Sequence, residues 1–185
     1  YFMWAADDDE WAPGFVEACI ALLDRGAVSA MTGFDTLYRG SARRLPSALP
    51  ALALQQSVAR NIGAFLRRPT PSLFYGLHRR GALDFILEDP WWFDYYDCYV
   101  VLRLIAHGPV AIDPRVLHTA GVEGIAYEVK KVGRHLRFAP FFFATCSLIR
   151  ASKVSLIESM QLQMLAGFTT LRLVRSQWRF RHRGA

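Results

Sequence analysis

Asp7, Asp8 and Asp9 stand side by side directly after an apolar run, Tyr1-Phe2-Met3-Trp4-Ala5-Ala6. Three adjacent carboxylates repel one another, so a cation must compensate them or solvent must screen them. Hard oxygen donors suit Mg²⁺ or Mn²⁺, ions commonly shared with substrate phosphates. The competing reading is a solvated acidic turn that caps the next helix. A second group, Glu88-Asp89-Pro90-Trp91-Trp92-Phe93-Asp94-Tyr95-Tyr96-Asp97, joins carboxylates to a dense set of rings. Rings stack on the C–H faces of sugars while carboxylates bond hydroxyls, which makes Trp91 and Trp92 candidate carbohydrate contacts; the same rings also serve as core or interface. Asp94 and Asp97 are three residues apart at the head of an apolar stretch, 98–108, and share its first-turn face. There they either cap a helix, whose N-terminus favours an anion, or supply a general base within reach of a hydroxyl.

The elements that must hold these groups follow from hydropathy. A continuous apolar run bounded by polar residues predicts that 1–6 is a strand buried on both faces, with the acids at its C-terminal end. In open α/β sheets that edge is where ligands bind. Pro13 fits a first helical turn. Phe15, Ala18, Cys19, Leu22 and Leu23 recur at helical spacing, and Gly26 marks the stop. Residues 27–34 read as the next strand, completing a βαβ-like order that implies a parallel sheet. Residues 35–50 read as a surface loop whose arginines either meet phosphate or are simply solvated. Residues 51–66 read as a helix. The stretch 71–80, with Tyr75, Gly76 and His78, reads as a strand or bend where Gly76 permits close backbone approach, followed by a short helix over 81–87. Residues 109–116 read as a strand or strand pair with a turn at Asp113-Pro114, followed by His118. A short helix is expected over 124–132.

The chain has 185 residues, enough for a real core, and its apolar fraction of 52% excludes disorder. It opens on what reads as a central strand, which predicts a fragment whose upstream part is absent. Cys19, Cys98 and Cys146 form neither a metal spacing nor a disulfide framework, so reduced thiols in a cytoplasmic setting are expected. The net charge of +6 is uneven. The first ten residues are acidic, whereas Arg134 to Arg183 is basic with only Glu158 opposing.

The segment FMWAADDDEWAPGFVEACIALL resembles the acidic-motif segment of family 2 glycosyltransferases, which have the GT-A fold. The resemblance extends over about 1–120. It implies a partial GT-A, Rossmann-like mixed sheet with flanking helices, lacking the N-terminal nucleotide-binding strands and incomplete for activity alone. It further implies metal-dependent, inverting transfer of a sugar from a nucleotide-diphosphate donor to a hydroxyl on a glycan, a lipid-linked or another acceptor. Asp8 best matches the metal-binding acid, flanked by Asp7 and Asp9, while Ala6 stands where many relatives carry the first acid. Residues 71–80 resemble the family segment beside the acceptor, which gives Tyr75, Gly76 and His78 as substrate contacts. DYYDCYVVLRLIAHG resembles the segment that carries the general base, with Asp97 as base, Asp94 in reserve and Tyr96 where Glu is common. A histidine after the following strand can reach metal or diphosphate in relatives, which gives His118; a lone histidine equally serves a structural role.

The chain divides on this reading into 1–133, the partial transferase domain, and 134–185, basic amphipathic helices. Residues 138–149 are strongly apolar but too short to span a bilayer. Residues 152–179 read as one long helix with Leu156, Met160, Leu165, Leu171 and Val174 roughly on one side. These helices suit an inner membrane surface, a partner subunit or a hairpin packed on the core. Competing functions are a metal-dependent enzyme on phosphate esters and a non-catalytic membrane-surface or partner-binding protein. Nucleic acid is not expected, because the rings cluster with acids and not with the arginines.

Overall fold

A computed structural model describes residues 1–37, 44–46, 49–87, 93, 95–121 and 138–182. The fold is mixed α/β. Strands β1 (Glu10–Trp11), β2 (Ser29–Leu37), β3 (Arg44–Pro46), β4 (Leu77–His78) and β5 (Val110–Gly121) form one sheet in the order β1-β5-β2-β3, with β4 also on β2. Only β2 and β5 run parallel; the other pairings are antiparallel.

Helix α1 (Phe15–Asp24) buries Phe15, Ala18, Cys19 and Leu23 against the sheet, the face its apolar spacing predicts. Its entry and exit use glycines at positive φ, Gly14 at 89° and Gly26 at 101°, where a side chain would be strained. Arg79 closes its C-terminus: the guanidinium donates to the carbonyl oxygens of Leu23 at 2.7 Å and Ala27 at 3.1 Å.

The apolar run 1–6 is not a strand buried on both faces. Its sole bridge among the described residues joins Phe2 to His78, and Tyr1 and Phe2 are 59% and 42% exposed. β4 presents only two residues of edge, too little to pair a longer strand. The chain then crosses to the opposite side of the sheet, where β1 pairs with β5.

β5 is one strand and not a pair. Its register against β2 slips where Thr32 faces Asp113, Gly33 faces Val116 and Phe34 faces His118. Pro114-Arg115, and then Leu117, are thus extra residues, a bulge of the kind that re-aims a side chain. Asp113 holds it by accepting from the Arg115 backbone N–H at 2.9 Å and its guanidinium at 2.8 and 3.0 Å. That guanidinium holds the Asp113 carboxyl below its usual range. A Cβ at Gly33 would lie 2.8 Å from the Pro114 carbonyl oxygen, so glycine is required opposite the bulge.

The helix expected over 51–66 is α2, Val58–Arg67, and begins later because Ser57 caps it, accepting from the Arg60 N–H. Residues 51–56 remain coil, tied down by the buried Asn61 amide through both backbone groups of Ala53. The stretch 71–80, expected as a strand or bend, holds a 3₁₀ turn over 71–75 and then β4, and the short helix expected over 81–87 is a 3₁₀ helix over 80–87. Helix α3 (Tyr96–His107) is buried along most of its length. Helices α4 (Phe138–Ala151) and α5 (Leu156–His182) form a hairpin against α2 and α3. The expected boundary at 133/134, and the helix expected over 124–132, lie outside the described residues. Beyond it, Phe141, Ile149, Leu162 and Ala166 enter the same core as Met31, Ile62 and Leu102. The Thr169 hydroxyl and Arg172 guanidinium donate to the Leu66 carbonyl at 2.6 and 3.0 Å, which locks α5 to the end of α2. Along α5 the core face is Ser159, Leu162, Ala166 and Thr169, not the Leu156–Met160–Leu171 side. Cys19, Cys98 and Cys146 are free and buried, and burial pushes the Cys19 thiol up to about 12.

Candidate functional site

The acid turn is fixed by β5. The Asp9 carboxylate accepts from His118 Nε2 at 2.9 Å and from the Gly121 backbone N–H at 3.0 Å. The Asp9 side chain is 5% exposed and that of His118 fully buried. His118 reaches Asp9 because the bulge precedes it, and rings hold it there. The Trp11 ring stacks on it at 5.4 Å and 19°, and Phe15 and Phe34 flank it. His118 Nδ1 and Trp11 Nε1 are buried with no hydrogen-bond partner among the described residues. A small cavity of about 130 Å³, lined by both residues and by Thr119, lies beside them.

Gly121 has a second role. A Cβ there would collide with the Asp8 backbone oxygen and come within 2.7 Å of the Asp8 carboxylate. The absence of a side chain at Gly121 lets the acid turn lie against the strand end. Gly121 pairs with Leu37, the last residue of β2, so Asp8 and Asp9 sit at the C-terminal ends of the parallel strands. That is the edge where ligands bind in open α/β sheets.

The three acids are therefore unlike one another. Asp7 is exposed at the turn, Asp8 is half-buried against Gly121, and Asp9 is engaged inside the fold. Among the described residues no three Asp, Glu, His or Cys side chains are gathered as a metal cage, and His118 Nε2 is turned onto Asp9. The donor set still fits a hard cation held by one or two carboxylates, with water and phosphate completing the shell. Asp7 is exposed at the turn and Asp8 lies half-buried beside it, while His118 directs Nε2 to Asp9.

No family model, curated protein or solved structure matches this chain.

Asp97 lies in the first turn of α3, where its Oδ1 accepts from the Cys98 N–H at 2.7 Å. Burial pushes its carboxyl above the usual range, against that hydrogen bond. The helix enters through Tyr95 at φ 66°, the sole non-glycine positive φ among the described residues. Such a conformation costs of order 1–3 kcal/mol and clusters at functional sites. Asp97 and the acid turn stand on separate elements. α3 packs on the 71–75 and 80–87 turns, α2 and α4, whereas the acid turn rests on β5.

The expected acceptor contacts divide. His78 is fully buried: Nε2 donates to the Phe74 carbonyl at 3.0 Å, so Nδ1 accepts from the Ser29 hydroxyl at 2.8 Å. Burial lowers its pKa to about 4. Both ring nitrogens are thus committed within the fold, and a substrate contact through His78 is replaced by a structural one. Gly76 makes the close approach its sequence context predicts, since a Cβ would lie 2.5 Å from the Ala30 carbonyl oxygen. Tyr75 is half-buried, edge-on to Phe74, which in turn stacks on Trp4 at 4.0 Å. Trp91, Trp92 and Asp94 lie outside the described residues. Phe93, from the same aromatic group, turns inward onto Tyr96 and Tyr99.

Sequence reasoning missed Gly121, Trp11 and the Gly33 bulge as parts of the site. The available signals were a glycine shortly after the strand expected over 109–116, an aromatic two residues after the acids, and the Asp113-Pro114 turn.

Proposed function

We propose that this chain carries the acid turn and the base of a GT-A type glycosyltransferase. It would act on a nucleotide-diphosphate sugar and transfer the sugar, with inversion, to an acceptor hydroxyl. The observation that carries the reading is the fixing of Asp8 and Asp9 at the C-terminal ends of the parallel β2–β5 pair. The resemblance of residues 1–120 to family 2 glycosyltransferases supplies the reaction.

Asp9, held by His118 and Gly121, anchors the turn, with Asp7 exposed and Asp8 half-buried against Gly121. Those two would hold Mg²⁺ or Mn²⁺. When bound, such an ion offsets the charge of the leaving diphosphate. Asp97 is the base: it takes the proton from the acceptor hydroxyl as that oxygen attacks the sugar carbon. A carboxyl raised by burial is better matched to that proton transfer than an ordinary one.

The test separates donor from acceptor chemistry. In the full-length protein, Asp8→Ala abolishes metal-dependent binding of a nucleotide sugar, measured by calorimetry, while Asp97→Asn spares that binding and abolishes transfer. Unchanged binding in the first variant, or near wild-type transfer in the second, removes that residue from the mechanism. Phosphate-ester hydrolysis proceeding equally well without any acceptor would assign the acid turn to a different enzyme class.

A further inference from the structure

α5 presents two apolar faces. One is the core face described above. The other runs through Ile157, Met160, Met164, Phe168 and Leu171, at steps of three and four residues, and these side chains are 57–69% exposed. It extends over about 21 Å of helix. A soluble helix ordinarily places polar residues on its outer face.

The surroundings of this stripe are basic. Arg60 and Arg67 of α2, with Glu158 of α5 as the one acid, line the same groove as Met164 and Phe168, a trough of about 790 Å³ between α2 and α5. Arg172 and Arg175 are exposed toward the C-terminal end of the stripe. The sole acid between Arg134 and Arg183 in the sequence is Glu158. It is consumed in a capping box, accepting from the Ser155 N–H and hydroxyl at 2.9 and 2.8 Å.

We propose that this face of α5, with the arginines of α2, docks on an anionic lipid surface. The helix would lie in the plane of the interface, its stripe in the acyl boundary and the guanidinium groups among the headgroups. Among the described residues no helix is long and apolar enough to cross a membrane, so the contact is interfacial. Charge decides between a bilayer and a second copy of the chain. A two-fold pairing through this face would gather the arginines of both copies against only one capped acid from each, whereas anionic headgroups neutralise them. This inference is independent of the transfer reaction.

The experiment is co-sedimentation of the full chain with vesicles of phosphatidylcholine, with and without phosphatidylserine. Wild-type protein is expected to pellet with the anionic vesicles and to be released by salt. Met164→Gln with Phe168→Gln, both exposed and expected to leave the melting curve unchanged, should weaken binding at least ~10-fold. Arg60→Gln with Arg67→Gln should weaken it about fivefold per cation on anionic vesicles and leave neutral ones unaffected. Three results overturn the proposal: no wild-type binding to anionic vesicles, equal binding by the Met164/Phe168 variant, or a lipid-free dimer in light scattering that this variant dissociates. The last would give the stripe to a second copy.

Discussion

Removing the Asp9 carboxylate tests whether the acid turn is built as described. Asp9→Ala leaves two buried donors without an acceptor, His118 Nε2 and the Gly121 N–H. Hydrogen bonds to a charged group contribute about 1.5–3 kcal/mol each. The two side chains are 5% and 0% exposed, so solvent screening does not reduce these figures. A destabilisation of about 3–5 kcal/mol is expected, which for a chain of this size lowers Tm by roughly 2–4 °C per kcal/mol. Asp9→Asn keeps an acceptor for Gly121 and should lose about half as much. Asp7→Ala, at the exposed turn, should stay within about 0.5 kcal/mol of wild type. The assay is chemical and thermal unfolding by circular dichroism, with a double-mutant cycle pairing Asp9→Ala and His118→Ala. A coupling of about 1–3 kcal/mol is expected. An Asp9→Ala protein as stable as wild type, or additive single effects, would refute the assignment of Asp9 as the anchor and return it to the same class as Asp7.

Three further outcomes follow from the same geometry. His78 is buried neutral, with its pKa lowered from 6.5 to about 4. The unfolded chain therefore binds more protons in that window, and stability should fall as pH drops from 6.5 through 4, by about 3 kcal/mol in all. Tm measured across this range should show a slope that His78→Gln flattens, and an identical slope in the variant would exclude His78 as its source. The Asp97 carboxyl is raised by burial, so its ionised form opposes folding at neutral pH. Asp97→Asn, which keeps an oxygen for the Cys98 N–H, should raise Tm at pH 7 while ending transfer; a lowered Tm would contradict the burial argument. Gly33→Ala and Gly121→Ala force a methyl against backbone, at Pro114 and at Asp8 respectively. Each should cost about 1–3 kcal/mol. Gly121→Ala should also weaken metal-dependent donor binding by displacing the acid turn, and intact binding in a folded variant would remove Gly121 from the site.

The local pieces of this protein were legible in its sequence because they depend on neighbouring residues alone. The α1 face, the stop at Gly26, the close approach at Gly76 and the helix opening near Asp97 follow from apolar spacing, glycine placement and capping chemistry. Tertiary structure decided what depends on distant partners. The run 1–6 is apolar enough for a central strand, yet its pairing partner is two residues of β4, so it crosses the sheet edge half exposed. Asp7, Asp8 and Asp9 are chemically identical in the sequence. Asp9 is set apart because His118 and Gly121, more than a hundred residues away, bind it, and that reach depends on a bulge that no periodicity reveals. His78 and His118 could each have been a ligand, and burial with specific acceptors committed both to the fold. On α5 the apolar residues are too many for one face, and the sequence could not say which would be buried. The Thr169 and Arg172 bonds to the end of α2 fixed the helix rotation, so Leu162 and Ala166 went inward and the Met164–Phe168 stripe was left outside.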